Sequence, residues 1–329
     1  VTDKPLVVVL GASGFLGTAV TAELADRPIR LRLVARRPAT VPVGAKAETE
    51  VRTADLTAPG ALADAVAGAD AVIHLVAHIT GASTWRVEEG DTTANRVNLG
   101  LVHDLIDALR AQRRDGPPPV VVFSGSLSQV GKPTGPRITG SEFDEPASEY
   151  DRLKLAAEQA LRDATTDGVV RACTLRLATL YGQGNGPLDL ERGVVSAMMR
   201  RAFAGEPLTM WHDGTVARDL VCVDDVARAF AAALDHADAL AGRHWLIGTG
   251  ESTAIGDLFA AIADAVAAVT GRPPVPVESV ESEHAGASDL LDFVVGSTAF
   301  GETTGWSPQV SLRAALHRAA VARHAANEN

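Results

Sequence analysis

The sequence predicts an α/β protein: a doubly wound parallel sheet with a smaller C-terminal lobe interleaved with it. Three observations predict it. Short apolar runs alternate with helical spacings through the first half, a glycine-rich turn joins the first run to the first helix, and the second half loses the alternation.

The elements follow in chain order. Leu6–Leu10 is a continuous apolar run, as expected of a strand buried on both faces. Leu16–Ala25 has helical spacing, Ile29–Ala35 alternates apolar residues with arginine as a strand does, and Thr49–Thr53 is a weaker strand. Ala61–Ala67 reads as a short helix closed by Gly68, and Ala71–Val76 as another buried strand. Thr92–Ala111 is a long amphipathic helix with Val97, Leu101, Leu105 and Leu109 on one stripe. After the prolines at 117–119 come a strand over Val120–Ser124, a helix over Ser148–Arg162 and a strand over Val170–Leu177. This alternation implies right-handed crossovers between parallel strands.

The second half is less regular. Gly182–Gly193 reads as a loop, Val194–Ala204 as a helix, and Leu208–Met210 and Asp219–Val223 as short strands around a turn at His212–Thr215. A helix over Asp224–Leu234, a strand over His244–Ile247 and helices over Ala254–Val269 and Leu312–Ala325 complete the chain. The expected division is a dinucleotide domain over 1–180 that also receives about 218–247, and a substrate lobe from 181–217 and 248–329.

Composition excludes several function classes. Hydrophobic residues make up 46% and charged residues 22%, an ordinary globular balance, and no apolar run reaches the roughly 18 residues of a bilayer span. The net charge of −11 argues against a nucleic-acid partner, which needs a basic face. Val1–Pro5 runs straight into a strand with no basic and apolar leader, so a cytoplasmic location is expected. Cys173 and Cys222 sit in apolar runs without a metal-ligand spacing, which reads as two buried thiols. His74 and His78 lie four apart at a strand end without a third ligand, so no metal is expected.

The chemistry begins at Gly11-Ala12-Ser13-Gly14-Phe15-Leu16-Gly17, between the first strand and the first helix. Glycines there permit a tight turn, close approach to a pyrophosphate and packing of helix on strand, while the helix-start N–H groups face the phosphates. The Gly-x-x-Gly-x-x-Gly spacing resembles the extended short-chain dehydrogenase/reductase family, and the resemblance runs over nearly the whole chain. It implies a Rossmann-type sheet and a nicotinamide cofactor.

At the end of the second strand, where NAD-preferring folds carry an acidic residue, stand Arg36 and Arg37. Guanidinium forks suit a ribose 2′-phosphate, so NADP(H) is expected; solvated arginines at a strand end are the alternative. The resemblance implies that Asp55 and Leu56 contact adenine and that Leu75, Val76 and Ala77 run beneath the cofactor. Ser124 and Leu177 belong to the same implied cofactor surface.

Tyr150 and Lys154 lie four apart in a helical segment, hence on one face. An ammonium there lowers the phenol toward working pH and holds the nicotinamide ribose. Ser126, in the cluster Phe123-Ser124-Gly125-Ser126-Leu127-Ser128, is expected to orient a substrate carbonyl, with Ser124 and Ser128 as the other hydroxyls at that strand end.

Arg176-Leu177-Ala178-Thr179-Leu180-Tyr181 resembles the family's strand-six motif, with Thr179 where many nucleotide-sugar members carry asparagine. The segment from Gly214 to Ala227 resembles that of nucleotide-sugar epimerases, dehydratases and reductases, and Arg218 falls on the arginine that holds the substrate diphosphate; an ion pair with Asp219 or Asp224 is the alternative. No carboxylate adjoins Ser126 among Leu127, Ser128 and Gln129, which disfavours dehydration. The resemblance then points to NADPH-dependent 4-ketoreduction of a dTDP-4-keto-6-deoxyhexose in deoxysugar biosynthesis by a homodimer. The alternatives are a nucleotide-sugar 4-epimerase, a reductase of small non-nucleotide ketones and a silent NADP(H) sensor. The dimer is expected to pair the stripe Val97, Leu101 and Leu105, and the helix of Tyr150, across a two-fold axis.

Overall fold

The computed structural model describes residues 4–79, 87–112, 115–133, 135–183, 193–280 and 294–327. Seven strands form one sheet: β1 (Leu6–Leu10), β2 (Arg30–Ala35), β3 (Glu48–Thr53), β4 (Ala71–His74), β5 (Val120–Ser126), β6 (Arg171–Leu177) and β7 (His244–Ile247). Every pair is parallel, and the spatial order is β7-β6-β5-β4-β1-β2-β3. The order reverses between β1 and β4, which opens a crevice at the carboxyl ends of those strands.

Successive side chains of a strand point to opposite faces, and β1 shows the consequence. Val7 and Val9 enter one apolar cluster with Val20 and Leu24 of helix α1 (Phe15–Ala25). Leu6, Val8 and Leu10 enter the other. That second cluster takes in the helix α2, which follows Thr92–Asn95 and the turn Arg96–Gly100 as Leu101–Ala111, and helix α3 (Glu149–Thr166).

The stripe on α2 therefore faces inward. Leu101 and Leu105 are buried against the chain's own sheet, and Val97 packs on the same cluster. This corrects the expectation that the stripe pairs two subunits: its apolar area is already covered. The turn Arg96–Gly100 is π-helical, not α-helical as the spacing predicts. Such a bulge re-aims side chains, and here Asn98 is buried, donating to the His78 carbonyl at 2.8 Å and accepting from the His78 N–H at 2.8 Å. It clamps the segment that leaves β4. That strand ends at His74, two residues earlier than expected, because Leu75 and Val76 already pass against Gly11.

A third cluster gathers Tyr181, Met199, Leu208, Leu258, Phe259 and Leu316. It joins helices α4 (Val194–Ala204), α6 (Ile255–Thr270) and α7 (Leu312–Asn327). Helix α5 (Val223–Asp235) packs on the sheet side, with Val226 and Phe230 in the first cluster. Short pairs link the parts: Thr179–Tyr181 with Leu220–Cys222, and Ala217–Arg218 with Thr253–Ala254. The expected loop Gly182–Gly193 lies outside the described residues over 184–192. Among the described residues, no helix is long and apolar enough to cross a membrane, and no three His, Cys, Asp or Glu side chains are grouped to hold a metal.

Candidate active site

The glycine turn is built for close contact. Gly11 sits at φ +90°, and its N–H donates to the Val34 carbonyl at 2.8 Å. A side chain at Gly17 would put Cβ 2.1 Å from the Gly11 carbonyl oxygen, so the third glycine lets helix pack on strand. Gly14 caps α1 in extended conformation without any side-chain bond. The first N–H groups of a helix have no intrahelical partner. Those of Phe15 and Leu16 stand at the start of α1 on a half-buried turn, the kind of helix N-terminus that suits a pyrophosphate. Ser13 lies on the same half-buried turn, Leu75 and Val76 lie against Gly11, and Ser124 and Leu177 lie toward the carboxyl ends of β5 and β6. The residues present fit a dinucleotide.

Tyr150 and Lys154 come from the first turns of α3, whose N-cap Ser148 accepts the Asp151 N–H. Both are buried. The Lys154 ammonium donates to the Ser124 carbonyl at 2.8 Å, and lies 4.6 Å from the centre of the Phe123 ring and 5.8 Å from that of Tyr150. Burial pushes Lys154 down to about 7. Burial, then the negative charge of Asp151, pushes the Tyr150 phenol up. This corrects the expected lowering of the phenol: desolvation dominates here. The phenol consequently holds its proton at neutral pH and is suited to give one. Beside them His74 is wholly buried with no partner for either ring nitrogen, packed edge-on against Phe123, and burial pushes it down to about 3.

The serine cluster carries a surprise. Ser126 and Ser128 hydroxyls are 2.6 Å apart, and Ser128 donates to a carboxylate oxygen of Asp151. Ser148 donates to the other oxygen at 2.6 Å. With the Ser128 proton committed to Asp151, Ser126 is the donor toward Ser128. A carboxylate thus reaches the serine cluster from the helix, while none stands among the neighbours Leu127, Ser128 and Gln129. Both its oxygens are occupied by hydroxyls.

Behind the cluster, the Gln129 amide oxygen accepts the Ser126 N–H at 2.7 Å and its NH₂ donates to Glu158 at 3.0 Å. Glu158 and Asp144 share the buried guanidinium of Arg176. The His244 ring lies 3.2 Å from Glu158 without hydrogen-bond alignment. Burial raises the Glu158 carboxyl, but its contacts with His244 and Arg176 outweigh that and hold it at about 2. Asn98, Asp151, Glu158 and Gln129 went unread in the sequence. Only the spacing of Ser148 and Asp151 at a helix start offered a signal.

The remaining candidates spread around the crevice. Arg36 and Arg37 are exposed just past β2. Asp55 is exposed and accepts the Thr57 N–H and hydroxyl at 3.0 and 2.7 Å, a local turn, while Leu56 is buried. Ala77 is exposed after β4. Thr179 pairs with Leu220, next to Arg218. Arg218 donates to the Ala217 carbonyl at 3.0 Å; of the acids near it in sequence, Asp219 accepts from Thr249, Gly250 and Val295, and Asp224 pairs with Arg318 at 2.7 Å.

Comparison with known proteins adds relationship. The model of the NAD dependent epimerase/dehydratase family matches residues 7–248. A dTDP-L-rhamnose 4-epimerase of Burkholderia thailandensis is 28% identical over 94% of this chain and 92% of its own. A dTDP-6-deoxy-L-talose 4-dehydrogenase (NAD(P)(+)) of Kitasatospora kifunensis is 27% identical over 96% and 94%. The solved UDP-glucose 4-epimerase of Brucella ovis in complex with NAD superposes with a TM-score of 0.77 at 26% identity, over 97% and 98%.

Proposed function

The chain belongs to the NAD dependent epimerase/dehydratase family, and from that premise we propose that it reduces the 4-keto group of a dTDP-linked 4-keto-6-deoxyhexose with NADPH. The observation that carries the reductive reading is the exposed pair Arg36 and Arg37 past β2, where an NAD-preferring fold sets a carboxylate. The protonated Tyr150 supports it, since reduction needs an acid at the start.

A reduced nicotinamide, when bound, supplies a hydride to C4. The turn from Gly11 to Gly17 and the start of α1 hold its pyrophosphate, Lys154 its ribose, and Arg36 with Arg37 its 2′-phosphate. Arg218 holds the substrate diphosphate, and Thr179 lies on the adjoining strand. As the carbonyl π pair moves onto oxygen, Tyr150 gives O4 its phenolic proton and the phenolate takes one back from solvent. Ser126 turns its hydroxyl from Ser128 to O4 and steadies the developing charge. One hydride and one proton are consumed for each hydroxyl formed.

A second reading, 4-epimerisation of a nucleotide sugar, is favoured by the names of the relatives. The 28% identical protein and the superposed structure are both 4-epimerases. There Tyr150 must first take a proton, and the hydride returns without net cofactor use.

The test is NADPH oxidation with a dTDP-4-keto-6-deoxyhexose. Stoichiometric oxidation is expected, with NADPH bound at least tenfold tighter than NADH, about 1.4 kcal/mol. Tyr150→Phe is expected to lower kcat by roughly 10²–10⁴, and Arg218→Ala to raise KM. Interconversion of C4 epimers without net NADPH loss overturns the reductive reading. An Arg218→Ala variant with unchanged KM overturns the nucleotide-sugar assignment.

A further inference from the structure

Asp151 is buried, and among the described residues it pairs with hydroxyls and not with a cation. Its oxygens take the hydroxyls of Ser128 and Ser148, one from the loop after β5 and one from the cap of α3. It therefore ties the element that carries Ser126 to the element that carries Tyr150 and Lys154. Ser128, 2.6 Å from Ser126, is the link in between.

We propose that Asp151 is a positioning residue for the proton transfer, acting through Ser128 on the Ser126 hydroxyl and through its charge on Tyr150. The inference rests on the C4 chemistry proposed above. The geometry stands on the hydrogen bonds, and the direction of the charge effect agrees with the upward push on Tyr150. The other charged or titratable groups around the phenol are few. On α3 they are Lys154 and the surface pair Glu149–Arg152; from β4 comes His74. From the segment after β4 comes His78, 3.7 Å from Asp91 at the helix start beyond it. The end of β5 contributes only hydroxyls. Among the described residues, Asp151 is the acidic group nearest Tyr150 in sequence with no ion pair to a cation.

The test compares Asp151→Asn and Ser128→Ala with the parent, in ketone reduction and in a phenolate titration. Asp151→Asn removes a like charge beside the phenol, so phenolate forms more readily and acid catalysis fails at lower pH. The expected results are a kcat at least tenfold lower with KM within about threefold, and an alkaline limb moved toward lower pH. Ser128→Ala is expected to lower kcat without moving that limb. The double variant is expected to match the worse single variant in kcat, because both act along one path.

The titration needs no turnover. The chain holds two tyrosines, so in a Tyr181→Phe background Tyr150 alone reports, and Asp151→Asn should bring its phenolate signal in at lower pH. A coincident titration together with kcat within twofold of the parent overturns the proposal. If Asp151→Asn does not fold, Ser128→Ala decides alone: an unchanged kcat overturns it. A parent inactive on the ketone counts against the reductive reading, while the titration still judges Asp151.

Discussion

Replacing Lys154 with methionine should stabilise the fold while abolishing the chemistry. Lys154 is 1% exposed, so solvent screens its charge little. Burial lowers it from 10.5 to about 7. Forcing the charge into that site therefore costs the folded state about 5 kcal/mol at full strength. Against this stands the bond to the Ser124 carbonyl, whose loss leaves a buried acceptor at about 1–3 kcal/mol. Methionine keeps the length and apolar bulk of the stem. The net expectation is a gain of about 2–4 kcal/mol at or below neutral pH. The sign with pH follows from linkage. Between the folded value and 10.5 the unfolded chain holds a proton that the folded chain does not, so parental stability rises with pH, by about 1.4 kcal/mol per pH unit. The variant lacks that rise, and the gap closes as pH climbs. Cys173 and Cys222, both pushed up by burial, pull the other way above about 9 in both proteins and cancel in the difference. Urea unfolding of parent and variant from about pH 6 to about pH 9 measures this. Parallel stability curves would refute the reasoning, because a lysine charged equally in both states gives no such slope.

Gly17→Ala should weaken dinucleotide binding more than tenfold, because its Cβ would meet the Gly11 oxygen at 2.1 Å and displace the turn. Fluorescence titration with NADPH checks it, and parental affinity would show that the turn is not the binding element. Glu158→Gln should destabilise the fold by about 2–4 kcal/mol, less than a fully orphaned buried pair, since Arg176 keeps Asp144. The parental contribution of Glu158 is present above its unfolded value of 4.5 and is lost as pH falls toward about 2. A shift under about 1 kcal/mol in denaturant unfolding at neutral pH would place the strength of that network elsewhere.

What the sequence showed and what it hid divide along physical lines. Continuous apolar runs and glycine spacing are local patterns, so β1, the turn after it and the alternation through β6 were readable. Tyr150 and Lys154 were readable because one helix face fixes their relation. Asn98 was hidden because a π turn breaks the helical period that would have predicted its direction. Asp151 was hidden because its partners come from two elements, and Glu158 because Arg176, Asp144 and Gln129 meet only through tertiary packing. The phenol's direction was misjudged for a related reason: spacing shows a neighbouring charge but not the desolvation that opposes it.

Arg218 shows why binding and chemistry should separate in this fold. Its strand pairs with Thr253–Ala254, outside the seven-stranded sheet and apart from the helix α3 that carries Tyr150. The next residue, Asp219, is fully buried and takes N–H groups from Thr249, Gly250 and Val295. Those bonds pin the strand to two other segments. Asp224 is likewise engaged by Arg318. On the proposed reading, a substrate diphosphate would be held at Arg218, while O4 would meet the hydroxyls of a different element. On that reading, loss of Arg218 would remove interaction that ground state and transition state share, which is expected to raise KM. Loss of the Tyr150 proton removes one used only as charge develops, which lowers kcat.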